Sequence, residues 1–132
     1  MAKYVYPAVF EPEEGGAYSV YFPDVEGCYT CGDNMAEAFE MAEDVLALTL
    51  YHYEQDGKTI PSASRLENVT TANGSFVNYI VCDTIEYQKR YNTKAVKKTL
   101  SIPEWLNEAA TKAGVNFSQV LQDALKRQLN LV

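Results

Sequence analysis

The last forty or so residues of this chain carry a pattern that does not fold alone, and that constrains everything before them. In residues 94–102, Val96, Leu100 and Ile102 alternate with Lys97, Thr99 and Ser101. Period-two alternation of this kind predicts a half-buried strand. Pro103 follows, with the fixed φ that suits a first helical position. Ile102, Trp105, Leu106, Ala109 and Ala113 then recur at helical spacing, and Gly114 supplies a stop. A second helix is expected from Asn116, which forms a capping pair with Gln119, and its apolar stripe is Phe117, Val120, Leu121, Ala124, Leu125 and Leu129. A strand-helix-helix unit of this size buries too little surface for independent stability. It holds no cysteine or histidine for a staple, and its lone strand has no local partner. Two copies remove both deficits by pairing their strands over four interlocked helices.

The run Lys97, Lys98, Thr99, Leu100, Ser101, Ile102, Pro103, followed by Gly114, Val115, Asn116, Phe117 and Ser118, resembles the ribbon-helix-helix DNA-binding fold. In that fold the two-stranded ribbon lies in the major groove. Lys97, Thr99 and Ser101 share the strand face opposite Val96, Leu100 and Ile102. Lysine donates to guanine, and the hydroxyls pair with several base edges. These three are the candidate base readers. Lys94 and Lys98 are candidate phosphate contacts, Lys98 by snorkelling past the ribbon edge. The resemblance adds Asn116, Phe117 and Ser118, because a helix start offers free amides and a favourable dipole to phosphate. Lys112, Lys126 and Arg127 are further cations within reach of phosphates. The expected dimer core is Val96, Leu100, Ile102, Trp105, Leu106, Phe117, Val120, Leu121 and Leu125.

Charge divides along the same line. Residues 91–132 carry six basic against three acidic groups, a net +3, while residues 1–90 carry five basic against fifteen acidic, a net −10. Together they give the overall −7. The tail suits a polyanion and the body repels one. The expected domains are therefore 1–91 and 92–132. Ten tyrosines and 47% hydrophobic residues argue for packed structure. No apolar run approaches the roughly 20 residues of a membrane span, and the start of the chain lacks a signal-peptide pattern, so a cytoplasmic location is expected.

In the body, residues 3–10 predict a strand, with Pro7 suggesting an edge position or a bulge. A glutamate- and glycine-rich turn leads to a second strand over 18–22, forming a hairpin, and a third over 28–31. Asn34 and Glu37 form a capping pair for the longest helix. Its predicted face is Met35, Ala38, Phe39, Ala42, Val45, Leu46, Thr49 and Tyr53, ending near Gly57. A strand over 75–82 and a short helix over 83–91 complete a βββαβα body ahead of the βαα tail, an α+β chain.

The body also resembles a family. Tyr6 to Phe10 and Tyr18 to Cys28 carry the pattern, together with Thr30 to Asp33 and Asp56 to Ser62. They include a Phe-Pro-Asp-x-x-Gly-Cys-x-Thr-x-Gly-Asp motif starting at Phe22, and the set looks like the antitoxin HicB. The resemblance implies a truncated RNase H-like domain that binds and blocks HicA, a small basic RNA-cleaving toxin. The second partner would be operator DNA, bound by a homodimer, with pairing of dimers into tetramers left open. An acidic body suits a competitor of RNA, since charge speeds encounter while aromatic anchors hold the complex. The candidate toxin-binding set is Glu11, Glu13, Glu14, Tyr18, Tyr21, Asp24, Glu26 and Tyr29, around the first hairpin or the adjoining helix.

Other chemistries are weaker. Cys28 and Cys31 sit at redox or zinc spacing, but besides Cys82 and His52 the chain offers no further ligands of that type. In a strand, residues i and i+3 point to opposite faces, so packing is the expected role. Asp24, Glu26, Asp33, Glu43, Asp44 and Asp83 invite a two-metal nuclease, yet they fall in turns and on solvated helix faces. No catalytic residue, metal or cofactor is expected, and the chain is read as a non-enzyme. The rival readings are a solitary repressor whose body senses a ligand or redox state, and a metal-dependent nuclease.

Overall fold

The computed structural model describes residues 3–131. Met1, Ala2 and Val132 lie outside it, and with them the first two residues of the signal-peptide reading and the last residue of the tail. The chain divides between Lys94 and Ala95 into two units.

The first unit is a four-stranded sheet built from β1 (Lys3–Pro12), β2 (Tyr18–Tyr21), β3 (Tyr29–Gly32) and β4 (Phe76–Asp83), in the order β3-β2-β1-β4. All neighbouring pairs are antiparallel. Between β3 and β4 runs α1 (Met35–Asp56), and α2 (Thr84–Tyr91) follows β4. The first hairpin forms as its sequence predicts. β1, however, is a central strand and not an edge, and its register with β4 runs one-to-one from Lys3↔Asp83 to Phe10↔Phe76 without a bulge. Pro7 is tolerated there because β2 pairs with β1 only from Val9 onward. The missing N–H therefore falls where no β2 partner reaches it.

Alternation along β1 puts Tyr6, Ala8 and Phe10 against α1, and all three are buried with Val20, Ile80 and Cys82. The helix answers with Ala38, Ala42, Leu46 and Leu50, a stripe at i, i+4 spacing. The stripe predicted from sequence is right for Ala38, Ala42 and Leu46, with Phe39, Val45 and Tyr53 packed at its margin. It misses Leu50 and Ala47, and Met35 in the first turn is exposed. The N-cap is the expected one: the Asn34 side chain accepts from the Glu37 N–H at 2.9 Å, and Glu37 accepts in return from the Asp33 N–H at 3.3 Å. Phe10 stacks on Phe39 at 4.5 Å and on Phe76 at 4.9 Å, joining helix to sheet.

The segment between Phe22 and Asp33 is a folding device. Phe22, Val25 and Cys28 are buried, and the turn closes through the Phe22 N–H to the Cys28 carbonyl at 3.0 Å. Asp24 accepts from both the N–H and the hydroxyl of Ser64, at 2.8 and 2.6 Å, and so pins the long return loop. Gly32 lies where β3 meets α1: a Cβ there would stand 2.4 Å from the Ala38 nitrogen and 2.6 Å from its Cα. At the other end of α1, Glu54 accepts from the Tyr4 hydroxyl at 2.8 Å and from the buried Thr84 hydroxyl at 3.1 Å. That joins β1, α1 and α2. Burial, with the Glu54 contact, pushes the Tyr4 phenol up to about 12.

The second unit holds α3 (Glu104–Lys112) and α4 (Phe117–Gln128). Pro103 is the N-cap of α3, one position before the expected one, and its carbonyl accepts from Leu106 and Asn107. Gly114, at φ +70°, ends α3 with its N–H on Thr111 and the Val115 N–H on Ala110, the left-handed cap that glycine permits. Asn116 caps α4 by accepting from the Gln119 N–H at 3.0 Å, as the sequence predicts.

The strand expected over residues 94–102 is not formed in the single chain: residues 92–103 carry no helix or strand. The reason is physical. A strand is defined by hydrogen bonds to a neighbour, and no described segment of this unit is available to supply them.

Candidate functional site

Two surfaces hold the predicted site residues, one in each unit. In the first unit, strand pairing sorts the candidate toxin-binding set by sheet face. Tyr21 stands opposite Val9 on one side and Tyr29 on the other, and Val9 stands opposite Val77. These four form one row across the whole sheet, on the face turned away from α1. Glu11 lies on the same face, opposite Ser19, which stands opposite Cys31. The structure thus brings Glu11, Tyr21 and Tyr29 together.

Other members of that set have different places. Tyr18 lies on the opposite face, packed edge-on against Phe76 at 6.0 Å, and belongs to the core margin. The Asp24 carboxylate is engaged by Ser64, which gives it a structural task. Glu13 accepts from the Ser19 hydroxyl at 3.0 Å, and Glu14 and Glu26 are exposed in turns at the hairpin's ends.

Sequence reasoning missed the rest of this surface. Val5 and Val81 oppose each other and are 44% and 53% exposed, and Tyr79, opposite Pro7, is 40% exposed. The signal was present. β1 is apolar at every position from Tyr4 to Phe10, the run expected of a strand shielded on both faces. Among the described residues, no helix covers this second face. The 3-10 turn Leu66–Asn68 reaches its margin, where the Leu66 N–H donates to the Tyr79 hydroxyl at 3.1 Å.

The cysteines fall on opposite faces as expected, but the packing role expected of both holds only for Cys28. Cys28 is buried and Cys31 exposed. Burial raises the Cys28 thiol above its ordinary range and pushes Cys82 up to about 12, so neither buried thiol ionises near neutral pH. Among the described residues no group of three or more His, Cys, Asp or Glu is placed to hold a metal ion, and no described helix is long and apolar enough to cross a membrane. His52 is exposed beside Tyr51.

In the second unit the candidate DNA residues Lys94, Lys97, Lys98, Thr99 and Ser101 are all exposed in the segment without regular structure. Asn116 spends its side-chain oxygen on the helix cap, while the Ser118 hydroxyl accepts from Gln122. The amides of Phe117 and Ser118 precede the first helical bond, from the Val120 N–H to the Asn116 carbonyl. The expected dimer-core residues share one property: neither α3 nor α4 buries a single residue in the lone chain. Trp105 is 69% exposed and Val96 81%, with Leu100, Ile102, Leu106, Phe117, Val120 and Leu125 also in the open. Leu121 is half-buried.

Comparison with known proteins bears on both surfaces. A family model described as a HicB-like antitoxin of bacterial toxin–antitoxin systems matches residues 6–124. The chain is 45% identical over 56 residues to antitoxin HicB 1 of Photorhabdus laumondii, a match covering 42% of this chain and 36% of the relative. It is 36% identical over 63 residues to antitoxin HicB of Escherichia coli K12, covering 48% of this chain and 46% of that one. The match therefore spans less than half the length of these curated relatives. Among solved structures, a chain from a toxin–antitoxin complex of Streptococcus pneumoniae aligns over 96% of this chain and 99% of its own, at a TM-score of 0.61 and 28% identity.

Proposed function

Since the chain belongs to the HicB-like antitoxin family of bacterial toxin–antitoxin systems, we propose that it neutralises a small basic ribonuclease toxin of the HicA type with its first unit. With its second unit it dimerises and binds operator DNA, repressing its own operon. The observation that carries this reading is the pairing of a self-contained acidic unit with a basic one that has no interior. Helices that bury nothing leave Trp105, Leu106, Val120 and Leu125 in water, an arrangement that demands a partner surface. A second copy supplies it with complementary shape, by the symmetry of a two-fold interface.

In that dimer, residues 94–102 of each copy pair as an antiparallel ribbon, completing a ribbon-helix-helix module. Val96, Leu100 and Ile102 face inward and Lys97, Thr99 and Ser101 face the base edges. The first-turn amides of α4 clamp phosphates. An operator with two-fold or repeated half-sites follows from the symmetry. The antiparallel body, with α1 on one sheet face, is read as a truncated RNase H-like domain. Its role is binding, not cleavage.

Co-expression with the HicA-type toxin that this reading assigns to the same operon is the test. Copurification of the two, with release of ribonuclease activity when the complex is dissociated, is the expected result. A chain that purifies alone and changes its operator affinity with a small molecule or an oxidant would overturn the toxin half and favour a solitary sensor-repressor.

A further inference from the structure

We propose that the toxin docks on the helix-free face of the sheet, with Tyr29 and Tyr21 as the exposed anchors of a row in which Val77 is half-buried and Val9 buried. The inference rests on the antitoxin reading and specifies its surface. The row crosses all four strands, and below it Tyr79, Val5 and Val81 are exposed on the same face, with Pro7 buried among them. The row spans three strand spacings, roughly 14 Å, and the two-strand stretch of β1 and β4 from Val5 to Val9 adds roughly 14 Å along the strands, so the patch is L-shaped. A protein interface is built in this way, with an apolar centre that polar contacts surround. Tyr29 is 71% exposed and Tyr21 37%, and neither hydroxyl has a hydrogen-bond partner among the described residues. Exposed tyrosines with unpaired hydroxyls are among the side chains on which binding energy concentrates.

Charge selects the occupant. From Tyr4 to Gly57 the chain contains no lysine or arginine, while Glu11, Glu13, Glu14 and Glu26 sit on or beside this face. A second copy would bring the same carboxylates against themselves. A basic protein meets a complementary rim around an apolar centre. The unit's other concavity, a groove of about 540 Å³ between α1 and α2, is a poorer match. Three of the five acids lining it are already engaged, Asp83 in capping α2, Glu86 with Lys89 and Asp44 with Tyr91, and Arg90 adds a positive charge there.

The test uses the full chain and, as probe, the HicA-type toxin that the antitoxin reading assigns to the same operon, with affinity measured by interferometry. Tyr29→Ala combined with Tyr21→Ala is expected to weaken binding at least about 30-fold, the hot-spot threshold. Val81→Lys places a like charge against the basic partner and is expected to weaken binding without touching the row that borders the core. Glu40→Ala with Glu86→Ala, in the groove, should stay within about 3-fold, since peripheral charges contribute little. Wild-type binding that survives all the face substitutions would overturn the surface assignment and leave the antitoxin reading standing. No binding by the wild type would overturn both. A change of oligomeric state on substituting the face, with toxin affinity unchanged, would assign the face to a second copy and refute the proposal.

Discussion

Replacing Gly32 by alanine should cost the first unit about 3 kcal/mol, the upper end of the range for overpacking. The magnitude follows from what the new methyl meets. It would lie 2.4 Å from the Ala38 nitrogen, 2.6 Å from its Cα and 2.8 Å from the Glu37 carbonyl carbon, all backbone atoms of the first turn of α1. No side chain can rotate away, so β3 and α1 must part by roughly 1 Å where close packing tolerates little displacement. Parting them also disturbs the cap that Asn34 and Glu37 form around that turn. Urea unfolding followed by far-ultraviolet circular dichroism should show the midpoint fall at constant m-value. In a thermal scan the first transition should drop by about 12–24 °C, at 4–8 °C per kcal/mol for a domain of this size. Gly114→Ala is the contrast. Nothing lies within 4 Å of the added methyl, but φ is +70°, so the cost is about 1–2 kcal/mol of backbone conformation, felt in the second unit. A Gly32→Ala effect under about 0.5 kcal/mol, the range of indifferent surface changes, would refute the argument that helix and sheet meet through this residue.

Further expectations follow. Asp24→Ala removes both acceptors of Ser64 and should destabilise the first unit by about 1.5–3 kcal/mol, with hydrogen exchange rising in residues 58–65. Full stability with loss of toxin affinity alone would return Asp24 to the interface. Tyr4 binds its proton more tightly folded than unfolded, so its contribution is complete below pH 10.0 and disappears as pH rises toward about 12. Stability measured from pH 9 to 12 should therefore fall less steeply in Tyr4→Phe; an identical slope would refute the shift. Thr99→Ala should relax operator preference with little change on random DNA, and operator affinity should fall with salt at a slope of about −0.9 per phosphate neutralised. Equal loss on both DNAs for Thr99→Ala would contradict its placement on the base-reading face.

Features fixed by neighbouring residues were legible in the sequence. Asn34 with Glu37 and Asn116 with Gln119 announced their caps, and Gly114 announced its stop, because each is settled within four residues of itself. Features fixed by distant partners were not. Pro7 argued for an edge until β2 proved too short to reach it. Ala47 fell outside the predicted stripe because α2 as well as the sheet packs on α1, whereas Leu50 continues the i, i+4 spacing of Ala38, Ala42 and Leu46 and was there to be read. Tyr18 and Tyr21, three residues apart in one strand, necessarily face opposite sides, so grouping both in one interface could not hold. Asp24 looked like a surface acid because its partner, Ser64, lies forty residues on. The helix-free face of the sheet was half legible: the unbroken apolar run of β1 signalled two shielded faces, but not which face α1 would take.

The segment over residues 94–102 is a different case, since the partner proposed for it lies in another molecule. Hydrogen exchange of its amides in the full-length protein, followed across concentrations that span the monomer–dimer transition, addresses the account directly. Alternating protection from Val96 to Ile102 that appears as dimer forms is the expected result, because paired ribbon amides alternate between bonded and open. Exchange at unprotected rates while the protein is demonstrably dimeric would show that no ribbon joins the two copies.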